Sequence, residues 1–148
     1  MVSSAEFAAV ITRWKGERLG PAVQRLQQKA AKSIGTSIVQ KTPVRTGLAR
    51  GNWRLAVGNR VGAGTLTRKD PSGNQAIAGI IASASRIAAY SSFTIYNNLP
   101  YIAKLENGWS KQAPLGMTRL AIREFKAGLK QTLQDIQREL GDWNVTIR

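Results

Sequence analysis

Two long amphipathic patterns, one near each end of the chain, most constrain how this sequence can fold. The first follows Pro21 and repeats apolar residues at helical spacing, namely Val23, Leu26, Ala30, Ile34 and Ile38. The second ends before Gly141 and consists of Met117, Leu120, Phe125, Leu129, Leu133, Ile136 and Leu140. An apolar stripe must be covered by another element. The sequence therefore predicts two long helices that share a core with the residues between them.

A shorter amphipathic pattern precedes these helices at the N-terminus. Ser3 or Ser4 can cap a helix there, because a hydroxyl accepts a hydrogen bond from an otherwise unpaired N–H of the first turn. The apolar face of this helix is made of Phe7, Val10, Ile11 and Trp14. We expect Gly20-Pro21 to interrupt it, with Pro21 at the first position of the next helix.

The residues between the two long helices predict a small sheet. Residues 52–57 alternate as a strand does, with Trp53, Leu55 and Val57 on one side, and residues 92–96 form the second strand. The predicted fold class is α+β, in which long N- and C-terminal helices pack on a small antiparallel β-sheet. Its length makes the chain a single domain over residues 1–148.

The remaining segments are shorter. We predict an exposed loop over residues 65–74, since Asp70-Pro71 is a turn dipeptide. A short helix over residues 75–88 follows, with a core face of Ile77, Ile80, Ile81 and Ala84. Ala113-Pro114 is expected to open the last helix, Gly141 to stop it, and residues 143–147 to add an edge strand.

Composition leaves few groups that could carry out catalysis. The chain contains no histidine and no cysteine, and its eight carboxylates are scattered. The usual general base, the commonest metal ligand and the thiolate nucleophile are therefore missing. We expect no enzymatic activity, no catalytic residue, no metal and no cofactor. No segment has the length of a membrane span, and the N-terminus lacks the features of a signal peptide, so we expect synthesis in the cytosol and no membrane partner.

The net charge of +14 is concentrated in the N-terminal part of the chain. Residues 1–60 carry eleven basic side chains against two acidic ones. We expect a basic surface formed by Arg13, Lys15, Arg18, Arg25, Lys29 and Lys32. Such a surface favours nucleic acid or an acidic protein as its partner, and the alternative is a solvated face that keeps the protein soluble. Trp14 and Trp53 could stack on bases, although aromatic residues at this spacing more often belong to a core.

The segment Asn97–Met117 combines aromatic residues with turn residues and indicates a rigid connector. Asn107-Gly108 is typical of a tight turn. Tyr101 and Trp109 are either anchors that fix the connector against the sheet or an adjacent protomer, or part of the core. Glu106 is the lone carboxylate between Asp70 and Glu124, and we expect it to pair with Lys104, Lys111 or an arginine of a neighbouring subunit.

Two blocks of this sequence resemble a family of phage tail-component proteins, also described as neck or tail-completion proteins and including the minor tail protein Z group. The first block is a helix that ends in Pro-x-x-Thr-Gly, here Pro43, Thr46 and Gly47. The second runs from Asn97 through Pro100-Tyr101 and Leu-Glu-x-Gly-Trp-Ser, and ends with Gln112, Ala113, Pro114 and Gly116. The chain departs from the family in its high basic charge and in Arg45, where an acidic residue is common.

The resemblance implies a structural protein of the virion neck, made in the host cytoplasm. Copies are expected to form a homo-oligomeric ring, a hexamer, between the head-completion or connector protein and the tail terminator or tail tube. The residues expected at subunit or partner interfaces are Pro43, Arg45, Thr46, Tyr101, Glu106, Trp109 and Lys111. Non-specific contact with packaged DNA is expected for the basic surface. The alternative function is that of a sequence-independent nucleic-acid-binding protein.

Overall fold

The computed structural model describes residues 3–59, 61–64 and 66–141, without the side chains of Phe7, Trp14 and Lys15. The predicted α+β class is confirmed, since long terminal helices pack together beside a two-stranded antiparallel sheet. In chain order the elements are α1 (Ser4–Trp14), a π-helical segment (Lys15–Leu19), α2 (Gly20–Lys41), α3 (Leu48–Gly51), β1 (Arg54–Val57), α4 (Asn74–Ala84), β2 (Phe93–Tyr96), α5 (Ile102–Glu106) and α6 (Thr118–Leu140).

The N-terminal helix starts where the sequence predicts but is not interrupted. Ser3 caps it reciprocally with Glu6, because the Ser3 hydroxyl accepts the Glu6 N–H at 3.2 Å and the Glu6 carboxylate accepts the Ser3 N–H at 2.7 Å. The expected break at Gly20-Pro21 is wrong, since helical structure continues from Ser4 to Lys41. The π-helical segment lies directly before Gly20-Pro21, and we attribute the continuity to its wider turn, which tolerates a residue that has no N–H to donate.

The core lies between α2, α4, the sheet and the beginning of α6. Of the stripe predicted on α2, only Ile38 is fully buried, and the other buried positions of the helix are small or neighbouring residues, namely Ala22, Ala31, Gly35 and Val39. Gly35 shows the reason. A Cβ atom at this position would come within 2.6 Å of Ile80 of α4. The close approach of α4 therefore selects the small face of α2 for burial.

The sheet is formed as predicted, with somewhat shorter strands. β1 and β2 pair antiparallel, with Leu55 opposite Ile95 and Val57 opposite Phe93. Trp53 and Leu55 are buried, whereas Val57 at the strand end is exposed. Trp53 therefore belongs to the core, and the base-stacking alternative for this residue is wrong.

Helix α4 ends at Ala84, four residues earlier than expected, and covers β1. Its Ile80 and Ala84 are fully buried and Ile77 packs against the core. The prediction for Ile81 is wrong, because its side chain is 40% exposed. Ala76 occupies the inward position instead.

Helix α6 packs antiparallel to α2 and is tied to it by two ion pairs. Lys41 contacts Glu124 at 2.8 Å, and Lys29 contacts Glu139 at 2.8 Å near the other end. The helix ends at Leu140 with Gly141 as its C-cap, as predicted, but it starts at Thr118 and not at Pro114. The edge strand expected over residues 143–147 lies outside the described residues. Among the helices of the described ranges, none is long and apolar enough to cross a membrane.

Candidate partner-binding groove

The turn after α2 is held by buried hydrogen bonds and forms one wall of the site. The Thr42 hydroxyl donates to the Ile38 carbonyl at 2.7 Å and accepts the indole N–H of Trp53 at 2.7 Å. The guanidinium of Arg50 donates to the carbonyls of Gln40, Thr42 and Pro71 at 2.9 to 3.2 Å. The contacts with Ile38, Gln40 and Thr42 satisfy carbonyls at the C-terminal end of α2 that the helix leaves unpaired. The residues that follow are therefore presented from a fixed base.

Gly47, at the end of this turn, lies against the loop that contains Asp70 and Pro71. Gly47 has a φ of +81°, and a Cβ atom there would lie 2.4 Å from the Pro71 nitrogen. Asp70 is only 3% exposed, which corrects the expectation that its whole loop is exposed. Its carboxylate accepts the N–H groups of Gly73, Gln75 and Ala76 and so caps α4. Burial raises the pKa of Asp70, but the hydrogen bonds outweigh this effect and hold the pKa below its usual value.

The connector before α6 is organised around Glu106. Its carboxylate accepts the N–H groups of Met117 and Thr118 at 2.9 Å and that of Arg119 at 3.2 Å, and Arg119 also approaches it with Nε at 3.4 Å. Burial raises the pKa of Glu106, but the hydrogen bonds from the first turn of α6 prevail and lower it. The expected partners Lys104 and Lys111 are wrong, because the carboxylate caps α6 within its own chain. The cap explains why α6 starts after Met117 and not at Pro114.

Glycines let the connector fold back on itself. Gly108 has a φ of +83°, as expected for the Asn107-Gly108 turn, and a Cβ atom there would lie 2.4 Å from the Pro114 carbonyl oxygen. At Gly116, with a φ of +81°, a Cβ atom would lie 2.5 Å from the Glu106 carbonyl oxygen. Both positions therefore require glycine.

Gln112 joins the connector to the turn after α2. Its side-chain oxygen accepts the Val44 N–H at 2.9 Å, and its side-chain nitrogen donates to the Val44 carbonyl at 3.3 Å. The amide thus pairs with the backbone as a neighbouring strand would. Gln112 is part of the second sequence block, but only the structure shows that it binds to the first block.

The two blocks enclose a groove of about 790 Å³. It is lined by residues of the turn and of α3, namely Pro43, Val44, Arg45, Thr46, Gly47, Leu48 and Ala49, and by residues of the connector, namely Tyr101, Leu105, Trp109, Ser110, Lys111 and Gln112. Six of the seven predicted interface residues therefore line one groove, and Glu106 lies outside this lining. Their role at an interface remains a prediction. Sequence reasoning missed Leu48 and Leu105, whose apolar character alone does not distinguish them from core residues.

The aromatic side chains of the groove are open to solvent. Trp109 is 73% exposed and Tyr101 is 37% exposed, so neither belongs to the core. The ammonium group of Lys104 lies 4.9 Å from the centre of the Trp109 ring, on which it can make a cation–π contact. This contact favours one orientation of an indole that the core does not hold.

The groove is basic because its two charged lining residues are Arg45 and Lys111. Acidic side chains are absent from its lining in the part of the chain that is described. The described carboxylates all lie outside the groove lining, and each makes a hydrogen bond or ion pair within the chain. They are Glu6, Glu17, Asp70, Glu106, Glu124, Asp135 and Glu139. Asp142 lies outside the described residues.

The residues of the expected basic surface all belong to the N-terminal helix, but some of their charge is neutralised. Arg13 pairs with Glu17 at 3.4 Å, and Lys29 pairs with Glu139. Arg25 is exposed and Lys32 is half-exposed, and together with Lys29 they lie on one helical face. Arg18 is exposed and takes part in an interaction. The side chain of Lys15 lies outside the described residues.

Two helices carry apolar side chains that the described part of the chain leaves exposed or half-exposed. On α1 the side chains described are all exposed, including Val10 at 48% and Ile11 at 37%. On α6 one apolar stripe is exposed or half-exposed, and it consists of Ile122, Leu129, Leu133 and Leu140. These four residues recur at the spacing of a helix-packing face.

Within residues 3–59, 61–64 and 66–141, no three His, Cys, Asp or Glu side chains lie close enough together to hold a metal ion. Comparison with protein-family models, curated proteins and solved structures gave no match to this chain.

Proposed function

We propose that this protein is a structural component of the neck of a tailed phage, in which copies form a ring between the head connector and the tail tube. The observation that carries the proposal is the pair of uncovered apolar faces on α1 and α6. The family resemblance of the two sequence blocks supplies the biological setting. The groove formed by these same blocks supplies a third surface for a neighbouring protein.

The two faces suit a head-to-tail contact between copies. α1 presents Val10 and Ile11, and α6 presents the stripe of Ile122, Leu129, Leu133 and Leu140. Because they are different surfaces, a contact between them leaves one of each free on every dimer. Repetition of such a contact closes into a ring when the rotation permits. We propose six subunits, to match a sixfold tail.

The basic surface fits the same setting. Arg25 is exposed and Lys32 is half-exposed on a helix that buries Ala31, Gly35 and Ile38. In a ring this charge is multiplied, and it would face either the DNA passing through the neck or an acidic neighbouring ring. Contacts with phosphate would be independent of base sequence and would weaken steeply with salt.

The test of the ring uses cysteines introduced into this cysteine-free chain. Ile11→Cys and Leu133→Cys are combined in one protein, which replaces the natural copy in the phage that encodes it. A flexible bis-maleimide reagent is then added to purified particles. If α1 of one subunit packs on α6 of the next, denaturing gels will show a ladder of oligomers whose largest member gives the number of subunits.

Controls make the result specific. Each single-cysteine variant should give no product larger than a dimer. The double variant Val61→Cys with Leu133→Cys is the control, because Val61, at 49%, is at least as exposed as Ile11, at 37%, but lies outside both helices. A ladder from this control, or no ladder from the first pair, would contradict the head-to-tail contact. Absence of the protein from the particles would contradict the neck function as a whole.

A further inference from the structure

We infer that the groove between residues 43–49 and 101–112 binds a short acidic segment of another protein, anchored by one large apolar side chain. The identity of that protein as a neighbour in the neck rests on the proposed function. The chemistry of the segment does not, because it follows from the groove itself.

The apolar part of the inference rests on Trp109 and Tyr101. Tryptophan, tyrosine and arginine are the residues that most often dominate binding energy at protein interfaces, and Arg45 joins the two aromatics in this groove. Trp109 is 73% exposed and contacts Lys104, so its indole is oriented without being covered. A large apolar side chain packed between this ring and the wall formed by Pro43 and Leu48 would be removed from water.

The charge of the groove determines the rest of the segment. Arg45 and Lys111 come from opposite walls, and the described lining contains no carboxylate to neutralise them. Acidic side chains on both sides of the apolar anchor would match these two cations. Complementary charge of this kind mainly gives specificity and fast association.

A second copy of this chain does not fit as the occupant. Apart from Asp142, which the structure does not describe, its carboxylates are already bonded within the chain. The chain also has 22 basic side chains against eight acidic ones, so few of its surface segments can offer acidic residues to this groove. The segment is therefore assigned to a different, acidic protein.

A protein segment also fits better than a nucleic acid. Binding along a phosphate backbone draws on many cations, whereas the groove has two among mainly apolar residues. The wall residues are also held rigidly, since Gln112 pairs with both backbone groups of Val44. A preformed apolar groove with few polar groups is typical of sites that take a side-chain anchor.

The experiment presents a random peptide library to the full-length purified protein and then measures selected peptides by fluorescence anisotropy. We expect the selected peptides to share acidic residues that flank a large apolar residue. Their affinity should fall at least tenfold in Trp109→Ala and in the double variant Arg45→Glu with Lys111→Glu. Unchanged affinity in both variants, or selected peptides without an acidic pattern, would overturn the inference.

Matched variants separate the groove from general charge and exposure. Lys126→Glu with Lys130→Glu reverses two exposed charges of α6, and Tyr90→Ala removes another exposed aromatic residue outside the groove. The variant with both charges reversed should bind the peptides with an affinity within a factor of about two to three of the wild-type value. Tyr90→Ala should bind them as the wild-type protein does. A single-stranded oligonucleotide is used as a competitor. If it displaces the peptides at lower concentration than an unlabelled peptide does, the groove is a nucleic-acid site and the inference is wrong.

The outcome for the groove is independent of the outcome for the ring. Peptide binding that is lost in the groove variants supports the inference even if the protein is absent from phage particles, in which case only the proposed function fails. A crosslinked ring in particles, together with no acidic selection by the groove, overturns the inference alone.

Discussion

The carboxylate of Glu106 should contribute substantially to stability, because it caps the longest described single α-helix. It accepts three N–H groups from the first turn of α6 at 2.9, 2.9 and 3.2 Å. A side-chain cap is worth about 1 kcal/mol, and a negative charge at a helix N-terminus adds up to about 1 kcal/mol. Glu106→Gln removes the charge and replaces one acceptor oxygen by an NH₂ group. We therefore expect the free energy of unfolding to fall by about 2 kcal/mol.

Urea denaturation followed by circular dichroism measures this change. With a loss of this size the urea midpoint should fall by about 1 M, and the melting temperature by roughly 4–8 °C. The matched control is Glu139→Gln, which changes another carboxylate of α6. It removes an exposed ion pair with Lys29 of α2 and should have a small effect. Equal midpoints for the wild-type protein and Glu106→Gln at neutral pH would refute the capping role.

The pH dependence provides an independent check. The folded-state pKa of Glu106 is lowered, so the stabilisation is present above the unfolded-state pKa and is lost as the pH falls through the folded value. The difference between the wild-type protein and Glu106→Gln should therefore be full at neutral pH and shrink below about pH 4. A difference that stays constant into acid would show that the charge of Glu106 is not involved.

Two further predictions concern glycine and Asp70. Gly116→Ala should lower the free energy of unfolding by more than about 2 kcal/mol, because Gly116 has a positive φ and a Cβ atom there would lie 2.5 Å from the Glu106 carbonyl oxygen. Gly128→Ala, in the exposed middle of α6, should instead raise the free energy of unfolding by about 0.5–1 kcal/mol. Equal effects of the two variants in thermal unfolding would contradict this prediction. Asp70→Asn should cost about 2–3 kcal/mol, because an NH₂ group would face the N–H donors of Gln75 and Ala76. The pKa of Asp70 is lowered, so this difference should also be full at neutral pH and decline below about pH 4; no loss of stability in urea would show that Asp70 is not the cap.

Local sequence determined the elements whose signals lie within a few residues. Ser3 and Glu6 form the capping box that starts the first helix, and Gly141 ends the last one. The alternating patterns around Leu55 and Ile95 produced the paired strands. Each of these features depends on side-chain spacing or on the φ preference of one residue, so each can be read without the fold.

The buried face of α2 could not be read in the same way. The predicted apolar stripe includes Val23, Leu26, Ala30 and Ile34, but Ala31 and Gly35 are buried more deeply. Periodicity shows that a helix has an apolar side, and it does not show which neighbour comes closest. The approach of Ile80 to Gly35 decided that point, and it depends on where α4 lies.

The candidate site was also predicted only in part from the sequence. The sequence marked both blocks, and six of the seven residues predicted from them line the groove. Three features are visible only in the tertiary structure. Gln112 forms hydrogen bonds with the Val44 backbone, the Glu106 carboxylate accepts N–H groups of α6, and the Trp109 side chain is exposed to solvent. The blocks lie more than forty residues apart in the chain. Whether such residues meet is decided by the packing of the helices that carry them, because neither block contains a local signal for its partner.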